Sequence, residues 1–300
     1  MNIYHIPVML SECLDGLNIQ PDGTYVDVTF GGGGHSRAIL ERLGANGRLF
    51  AFDQDEDALK NTIDDPRFTL IQNNFRHLRK CLRVEGVKTV NGILGDLGVS
   101  SHQIDEAERG FSFRFEADLD MRMNRSEGTT AGDILNTYTA TELQRVLGEY
   151  GEVRNARTLA QRIVEVRDTR PIRTINDFKS IVEPLIFGKP PQYLAQVFQA
   201  LRIEVNDEMG ALHDFLNDTV KVLAPNGRLV IMSYHSLEDR PVKNMMRHGN
   251  VTDEPIKDDF GHISKPFKLI TKKPIEATAE EQKQNTRSRS AKLRIAEVQL

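Results

Sequence analysis

Four consecutive glycines, Gly31–Gly34, follow the segment YVDVTF and precede a segment with helical periodicity. The β-branched and aromatic residues before the glycines predict a strand. Glycines at the carboxyl end of such a strand let a ligand lie against bare backbone, and the amides of the next helix then face its anionic group. The feature predicts an α/β sheet with a ligand site beyond its first strand. A glycine-rich turn without a ligand is the alternative.

The first third of the chain alternates strand and helix signals. The segments RLFAFD, RFTLIQ and TVNGILGDLG predict three further strands, and SRAILERLG, EDALKNTI and FRHLRKCLRV predict the intervening helices. Alternation at this spacing is typical of βαβ units, in which helices cover both faces of a parallel sheet. We therefore predict a doubly wound, Rossmann-like α/β fold.

The pattern changes after residue 100. Residues 101–133 show little periodicity and are predicted to be loop. Residues 139–201 are predicted to be helical, because apolar residues recur at helical spacing in segments such as RNARTLAQRIVEVR. Thr174 is a candidate cap for one of these helices. A helical insertion therefore interrupts the α/β pattern.

Strand signals return over residues 227–235, followed by a helix and by strands in FKLITKK and AKLRIAEVQL. The simplest division has one α/β domain in two parts, residues 1–105 and 206–300. A helical domain with its preceding loop, residues 106–205, lies between these parts.

The composition is typical of a cytoplasmic protein. Its 300 residues have a formal net charge of −4, and the two cysteines, Cys13 and Cys81, lack zinc or disulfide spacing. The eight histidines lack metal-ligand spacing, and no apolar run is long enough to span a bilayer. We expect no metal site and no membrane association. A net acidic chain can still bind nucleic acid through a local basic patch.

The glycine run distinguishes three classes of ligand site. The nucleoside-triphosphate loop G-x-x-x-x-G-K-[ST] and the dinucleotide pattern G-x-G-x-x-G both fail when counted from Gly31, because Ser36 replaces a glycine. What remains resembles the first motif of class I S-adenosylmethionine methyltransferases, here Asp27 with Gly31 and Gly33. Asp53 closes the next strand, where an acid can accept hydrogen bonds from ribose hydroxyls.

Eight short segments strengthen this resemblance. In chain order they are HIPVML, GGGGHS, DLGVSS, ERGFSF, LDMRM, FQALRIEVNDE, SYHSLEDR and RSAKLR. Together they make the chain resemble the RsmH (MraW) family from about His5 to Glu297. The resemblance implies a class I S-adenosylmethionine-dependent methyltransferase fold with a helical domain inserted between the fourth and fifth strands.

The resemblance also implies an activity and a partner. Members of the family methylate the exocyclic N4 of a cytidine in the decoding region of 16S ribosomal RNA. The expected cofactor is S-adenosyl-L-methionine, and the expected partner is small-subunit ribosomal RNA within the assembled 30S subunit. Whether free RNA is also a substrate, and whether the protein forms a homodimer, stay open.

The family's cofactor contacts carry over onto seven positions of this chain. They are Gly33, Gly34, His35, Asp53, Phe75, Asp96 and Gln103. Taken without the family, His35 is equally suited to cap a helix, and Phe75 to pack in a core. Departures from the family pattern are mild, but the segment FEA at 115–117 leaves local substrate contacts open.

Asp96 ends the predicted fourth strand, where ligands of such sheets bind. Its carboxylate is a candidate acceptor for a hydrogen of the cytosine N4, and a purely structural or cofactor-binding aspartate is the alternative. Tyr234 is a candidate for stacking on a flipped-out cytosine, and Ser233 or His235 for contacting its Watson–Crick edge. The alternative there is a strand end with a capping box formed by Ser236 and Asp239.

Two sets of cations are candidate RNA contacts. The first is interleaved with aromatic residues, and the alternative is a loop that folds its aromatic residues onto the core. The second lies in the tail, where a solvated surface is the alternative. The first set comprises Arg109, Arg114, Arg122 and Arg125 with Phe111, Phe113 and Phe115; the second comprises Lys283, Arg287, Arg289, Lys292 and Arg294.

Two other functions are weighed against a ribosomal RNA cytosine-N4 methyltransferase. A non-catalytic RNA-binding factor with the same fold is disfavoured by the intact glycine run together with Asp53 and Asp96. An oxidoreductase that uses a nicotinamide cofactor is disfavoured by the failed dinucleotide pattern. The fold alone does not separate these functions.

Overall fold

The computed structural model describes residues 7–254, 261 and 265–299, so the first two residues of HIPVML lie outside the described residues. The strands are β1 (Thr24–Asp27), β2 (Arg48–Asp53), β3 (Phe68–Gln72), β4 (Val90–Asp96), β5 (Leu223–Ser233), β6 (Phe267–Leu269), β7 (Ile275–Glu276) and β8 (Lys292–Val298). The α-helices are α1 (Leu10–Leu17), α2 (Gly34–Arg42), α3 (Leu78–Val84), α4 (Ser101–Asp105), α5 (Ala131–Thr137), α6 (Ala140–Glu149), α7 (Ala156–Arg167), α8 (Ile175–Val182), α9 (Pro190–Asn206), α10 (Glu208–Val222), α11 (Ser236–His248) and α12 (Ala279–Gln284). Short 3₁₀ helices lie at Glu56–Asn61, Phe75–His77, Ala107–Arg109, Glu183–Leu185 and Thr286–Ser290.

The strands form a mixed sheet in the order β3-β2-β1-β4-β5-β8-β6, with β7 also paired to β8. Strands β1 to β5 are parallel, whereas β8 is antiparallel to β5, β6 and β7. The parallel strands therefore end at one edge of the sheet, the carboxyl edge, and begin at the opposite, amino edge. Strand order reverses between β1 and β4, where ligands of such sheets bind.

Helices cover both faces of this sheet because its central strands are apolar on both sides. Val26 and Phe50 pack with α3, α10 and α11 on one face. Tyr25 and Leu49 pack with α1 and α2 on the other. The predicted doubly wound α/β fold is confirmed.

The chain divides into two compact units, Met1–Gly98 with Met209–Leu300, and Val99–Glu208. The first unit contains the sheet. The second has a core of its own, to which α7 contributes the apolar face that the sequence predicted. The predicted domain boundaries after residues 105 and 205 lie a few residues from this division and remain a prediction. No helix within the described parts of the chain has the length and apolar character needed to cross a membrane.

Two local predictions had different outcomes. Thr174 caps α8 as expected, and its hydroxyl accepts a hydrogen bond from the backbone N–H of Asp177. The prediction of loop for residues 101–133 is wrong in part, because α4 and the start of α5 lie there. Helix α4 begins with a capping box, in which the Ser100 hydroxyl accepts from the Gln103 N–H and the Gln103 side chain accepts from the Ser100 N–H.

Candidate active site

The glycine loop between β1 and α2 adopts backbone conformations that favour glycine. Gly31 and Gly33 have φ values of +49° and +74°. A Cβ on Gly33 would lie 2.9 Å from the Phe30 ring, and one on Gly34 would clash with Pro7. A Cβ on Gly31 would meet no described atom within 4 Å. The backbone of Gly31 therefore faces open space, where a ligand can approach it closely.

Asp53, the last residue of β2, holds this loop in place. Its Oδ2 accepts a hydrogen bond from the Gly31 N–H at 2.8 Å, and its Oδ1 accepts one from the Asp55 N–H at 2.9 Å. Burial raises the pKa of Asp53 to about 6, although these two backbone bonds oppose the rise. Each carboxylate oxygen has a further lone pair. The carboxylate can thus accept hydroxyl groups of a ligand lying against Gly31.

Asp27, the acid of the glycine motif, has its carboxylate satisfied within the protein. It is buried at the end of β1, where its Oδ2 accepts a hydrogen bond from the Ser36 hydroxyl at 2.7 Å. Its Oδ1 accepts from the Thr29 N–H at 3.1 Å. Asp27 therefore joins β1 to the first turn of α2, a structural function that Ser36 and Thr29 share.

Asp96 ends β4 at the same edge of the sheet. Its Oδ1 accepts a hydrogen bond from the Tyr234 hydroxyl at 2.7 Å, and its N–H donates to the Thr29 hydroxyl at 2.7 Å. Burial raises the pKa of Asp96 to about 6, while the nearby His35 and the Tyr234 bond act to lower it. In the part of the chain that the structure describes, no donor bonds to Oδ2. Asp96 thus offers an oriented acceptor whose pKa is near neutrality.

Tyr234 is a hydrogen donor in this pair across the physiological range. Burial, followed by the charge of Asp96, raises the pKa of its hydroxyl well above the ordinary value. The ring also lies beside Gly98, because a Cβ on Gly98 would be 3.6 Å from its Cδ2. The sequence indicated Tyr234 as a stacking platform, and the structure adds its bond to Asp96.

The turn after β5 is shaped by Glu238, which sequence reasoning missed. Its Oε2 accepts a hydrogen bond from the Tyr234 N–H at 2.8 Å, and its Oε1 lies 3.3 Å from Nε2 of His235. Glu238 is 2% exposed. This buried acid thereby contacts both Tyr234 and His235, which the sequence indicated as candidate contacts for the substrate base.

The predicted capping box of α11 is wrong. The N-cap is His235, which makes no side-chain cap bond, and Ser236 is already the first helical residue. The Asp239 carboxylate instead accepts two hydrogen bonds from the Arg294 guanidinium, at 2.6 and 2.9 Å. Burial alone would raise the pKa of Asp239, but the bonds and charge of Arg294 lower it. Arg294 is thereby an internal ion-pair partner and not the RNA contact suggested for it.

His35 does not cap α2, because Gly33 is the N-cap. The imidazole is buried, and its Nε2 lies 3.1 Å from the carbonyl oxygen of Val8. Nε2 is therefore the protonated nitrogen, since a carbonyl only accepts. The ring is thus fixed between the glycine loop and the start of α1, and its contact with a cofactor stays a prediction.

Phe75 and Gln103 have structural contacts of their own. The Phe75 ring packs edge-on against Phe215, with centroids 5.4 Å apart, and remains partly exposed. Gln103 lies in the second unit, where it is buried and caps α4. For both residues the contact with a cofactor stays a prediction.

The loop in which arginines alternate with phenylalanines, residues 109–125, packs in part against the core of the second unit. Phe111 and Phe113 pack against its core, and the buried Arg109 donates hydrogen bonds to the backbone carbonyls of residues 122 and 123. Arg122 is bonded to Asp120. Arg114 and Arg125 keep 62% and 43% of their side-chain surface exposed. Phe111, Phe113 and Arg109 therefore have structural contacts within the second unit, as expected for a loop that folds its aromatic residues onto the core.

The tail returns to the carboxyl edge. In the pairing of β8 with β5, Lys292 is opposite Ser233, the last residue of β5. Arg289, just before β8, is exposed. These two cations lie at the edge of the sheet where Asp53 and Asp96 also end their strands.

The polar groups at the carboxyl edge of the sheet fit an S-adenosyl cofactor. Bare backbone at Gly31 faces open space, and the adjoining carboxylate of Asp53 suits a pair of ribose hydroxyls. The first turn of α2 begins directly after this loop. An oriented acceptor, Asp96, ends a neighbouring strand. The arrangement suits a nucleoside ligand next to a group that loses a proton.

Comparison with known proteins gives a consistent result. Residues 2–299 match the profile of the MraW methylase family. A ribosomal RNA small subunit methyltransferase H from Phocaeicola vulgatus is 56% identical over 297 residues, which cover 98% of this chain and 97% of the relative. Its counterpart from Bacteroides thetaiotaomicron is 55% identical over 296 residues, with the same coverage. The crystal structure of an rRNA methylase from Streptococcus thermophilus is 13% identical, covers 99% of this chain and 100% of its own, and has a TM-score of 0.43, too low to support a conclusion.

Proposed function

Because the chain belongs to the MraW methylase family, we propose that it transfers a methyl group from S-adenosylmethionine to the N4 of a cytidine in the decoding region of 16S ribosomal RNA. Methylation of small-subunit ribosomal RNA follows from the family and from relatives more than half identical over nearly the whole chain. The choice of cytidine, of N4 and of the decoding region is the finer part of the proposal.

The carboxyl edge would hold the cofactor through backbone and one carboxylate. The open side of Gly31 lets the nucleoside approach, and Asp53 accepts its ribose hydroxyls. Gly33, the N-cap of α2, and Gly34 and His35, its first two residues, are the candidate contacts for the rest of the cofactor. When bound, S-adenosylmethionine supplies an electrophilic methyl group on a sulfonium.

The single observation that supports N4 chemistry most strongly is the bond between Asp96 and Tyr234. The N4 lone pair of cytosine is delocalised into the ring, so the amino group needs an acceptor that orients it. Tyr234 occupies Oδ1 of Asp96 and fixes the carboxylate, so that Oδ2 is available to accept an N4 hydrogen. An acceptor with a pKa of about 6 is ionised at neutral pH and can take the proton that N4 releases.

The base must leave its stack to reach Asp96. His235, held beside the buried Glu238, is the candidate contact for its Watson–Crick edge. The Tyr234 ring would border the base. Arg289 and Lys292 at the same edge are candidate contacts for neighbouring phosphates. The expected substrate is the assembled 30S subunit.

Mass-spectrometric nucleoside analysis tests this function. Unmodified small ribosomal subunits are incubated with the protein and S-adenosylmethionine, then digested. N4-methylcytidine should appear, and the Asp96→Asn variant should form far less of it. Methylation of a different base or atom would overturn the finer assignment. Cofactor-independent RNA binding without any methylation would favour the non-catalytic alternative.

A further inference from the structure

A basic cavity lies at the amino edge of the sheet, opposite the candidate active site. Its volume is about 310 Å³. It lies between the end of α3, the turn before β4 and the end of α10. Its lining includes Arg79, Arg83, Val87, Lys88, Lys221 and Val222, and no acidic residue among those described lines it.

The fold, and not local sequence, assembles these cations. Val90 at the start of β4 pairs with Leu223 at the start of β5. This register brings Lys88, two residues before β4, next to Lys221, two residues before β5. Arg79 and Arg83 are added by α3, one helical turn apart. Four cations from three segments thus surround one cavity, whose lining also includes Val87 and Val222.

Most of this charge is not neutralised internally. Within the described part of the chain, Arg79, Arg83 and Lys88 form no ion pair or side-chain hydrogen bond, whereas Lys221 lies 3.1 Å from Asp218. Arg83 and Lys88 are exposed. Like charges one turn apart on a helix destabilise it. Such a concentration, in a chain of net charge −4, indicates an anionic ligand.

We propose that this cavity binds phosphates of the ribosomal RNA backbone, at a distance from the reacting cytidine. Strand β4 connects the cavity to Asp96 and has seven residues, which places the two roughly 20 Å apart. Two arginines and two lysines match the phosphodiester, because guanidinium and ammonium groups are its usual ligands. This inference rests on the proposed function, since it takes the RNA substrate from there.

The test compares two double charge reversals. Arg83→Glu/Lys88→Glu alters the cavity, and Arg157→Glu/Arg162→Glu makes the same charge change at exposed positions of α7. Both variants are first compared with the wild type by thermal unfolding. Affinity for unmodified small subunits is then measured directly at several salt concentrations, and KM and kcat for methylation are measured separately.

The cavity variant should bind subunits about ten-fold more weakly, with a matching rise in KM. The slope of log affinity against log salt should fall by about two, one for each lost phosphate contact. The kcat and the affinity for S-adenosylmethionine should stay those of the wild type, and the α7 variant should lose little. Equal subunit affinity in the cavity variant and the wild type would overturn the inference, as would equal losses in both variants.

Three further outcomes distinguish RNA binding by this cavity from the proposed methylation and from binding of other ligands. Cavity-dependent subunit binding without N4-methylcytidine would overturn the proposed function and leave the cavity's function standing. Wild-type affinity of the cavity variant for naked 16S RNA, with loss only for subunits, would indicate a ribosomal protein and overturn the RNA assignment. Stabilisation of the wild type, but not the variant, by inorganic phosphate, with an unchanged KM, would indicate a free phosphate ligand and also overturn it.

Discussion

The two edges of the parallel sheet differ in both charge and burial. At the carboxyl edge, β1, β2 and β4 end in aspartates, and burial raises the pKa of Asp53 and Asp96 to about 6. At the amino edge, the cationic side chains of Arg83 and Lys88 are exposed. A single sheet therefore separates partly desolvated acids from solvated cations.

This difference in burial implies a difference in function. A desolvated carboxylate has strong, short-range interactions and a pKa near neutrality, which suits proton transfer and the orientation of a ligand. Solvated cations contribute weaker contacts that salt screens, which suits holding a large polyanion. Changes at the carboxyl edge should therefore appear in kcat and cofactor affinity, and changes at the amino edge in KM for the subunit.

The largest effect is expected from Asp96→Asn. The amide cannot take a proton from N4, so kcat should fall by about 10²- to 10⁴-fold. Rapid-quench measurement of methyl transfer checks this. The matched variant Tyr234→Phe removes the hydrogen bond to Oδ1 but keeps the acceptor, and should lose less. A wild-type kcat for Asp96→Asn would show that the carboxyl edge does not perform the chemistry.

The next largest effect is expected from Asp53→Ala. Loss of a charged acceptor for the ribose hydroxyls should weaken S-adenosylmethionine binding by about 10- to 100-fold, measured by calorimetry. Asp57→Ala, which removes a nearby carboxylate paired with the exposed Lys60, serves as the control. Circular dichroism establishes that the fold is retained. Equal affinity of the Asp53 variant and the wild type for S-adenosylmethionine would show that Asp53 does not bind the ribose hydroxyls.

The pH dependence of cofactor binding should be smaller and has a defined sign. Ribose hydroxyls bind the ionised form of Asp53 and so lower its pKa from about 6. Affinity should therefore be full at neutral pH and fall by up to about ten-fold per pH unit below that pKa. Calorimetric titrations from about pH 5 to about pH 8 check this, and Asp53→Asn should flatten the profile. An affinity that rises on acidification would contradict the assignment.

The smallest effects are expected from alanine substitutions at two glycines of the carboxyl edge, Gly31 and Gly33. Gly31→Ala places a methyl group in open space, so the cost to folding is the positive φ alone, about 1 kcal/mol, while cofactor affinity should fall several-fold. Gly33→Ala adds contacts of 2.9 Å with the Phe30 ring and should lose more stability. Thermal unfolding and calorimetry on both variants separate the two effects. Wild-type affinity in Gly31→Ala would show that no ligand lies against Gly31.

The fold could be predicted largely from local patterns. Strands β1, β2 and β4 are short apolar runs that end in aspartate, and α7 repeats its apolar residues at helical spacing. Helix α4 was missed because five residues are too few for a periodic signal, although the S-x-x-Q spacing from Ser100 to Gln103 indicates a cap. An element can thus be predicted when it is long enough to show a pattern of its own, and a very short element cannot.

The site could be predicted less completely because its contacts join distant segments. The glycine loop and Asp53 follow from strand ends that a parallel sheet brings together. The bond from Tyr234 to Asp96 and the register that sets Lys221 beside Lys88 depend on how β5 pairs with β4. The pairing of β8 with β5 likewise places Arg294 where it binds Asp239, so that Asp239 does not cap α11. Sequence spacing contains no information on these pairings.

The most direct measurement compares the two edges in one experiment. N4-methylcytidine formation is followed in a single turnover, at saturating S-adenosylmethionine and saturating subunits, for the wild type, Asp96→Asn and Arg83→Glu/Lys88→Glu. The wild type should form the product, Asp96→Asn should stay slow however much substrate is added, and the double variant should approach the wild-type rate as subunits saturate. A fast Asp96→Asn, or a double variant that stays slow at saturation, would contradict the separation of chemistry from RNA holding.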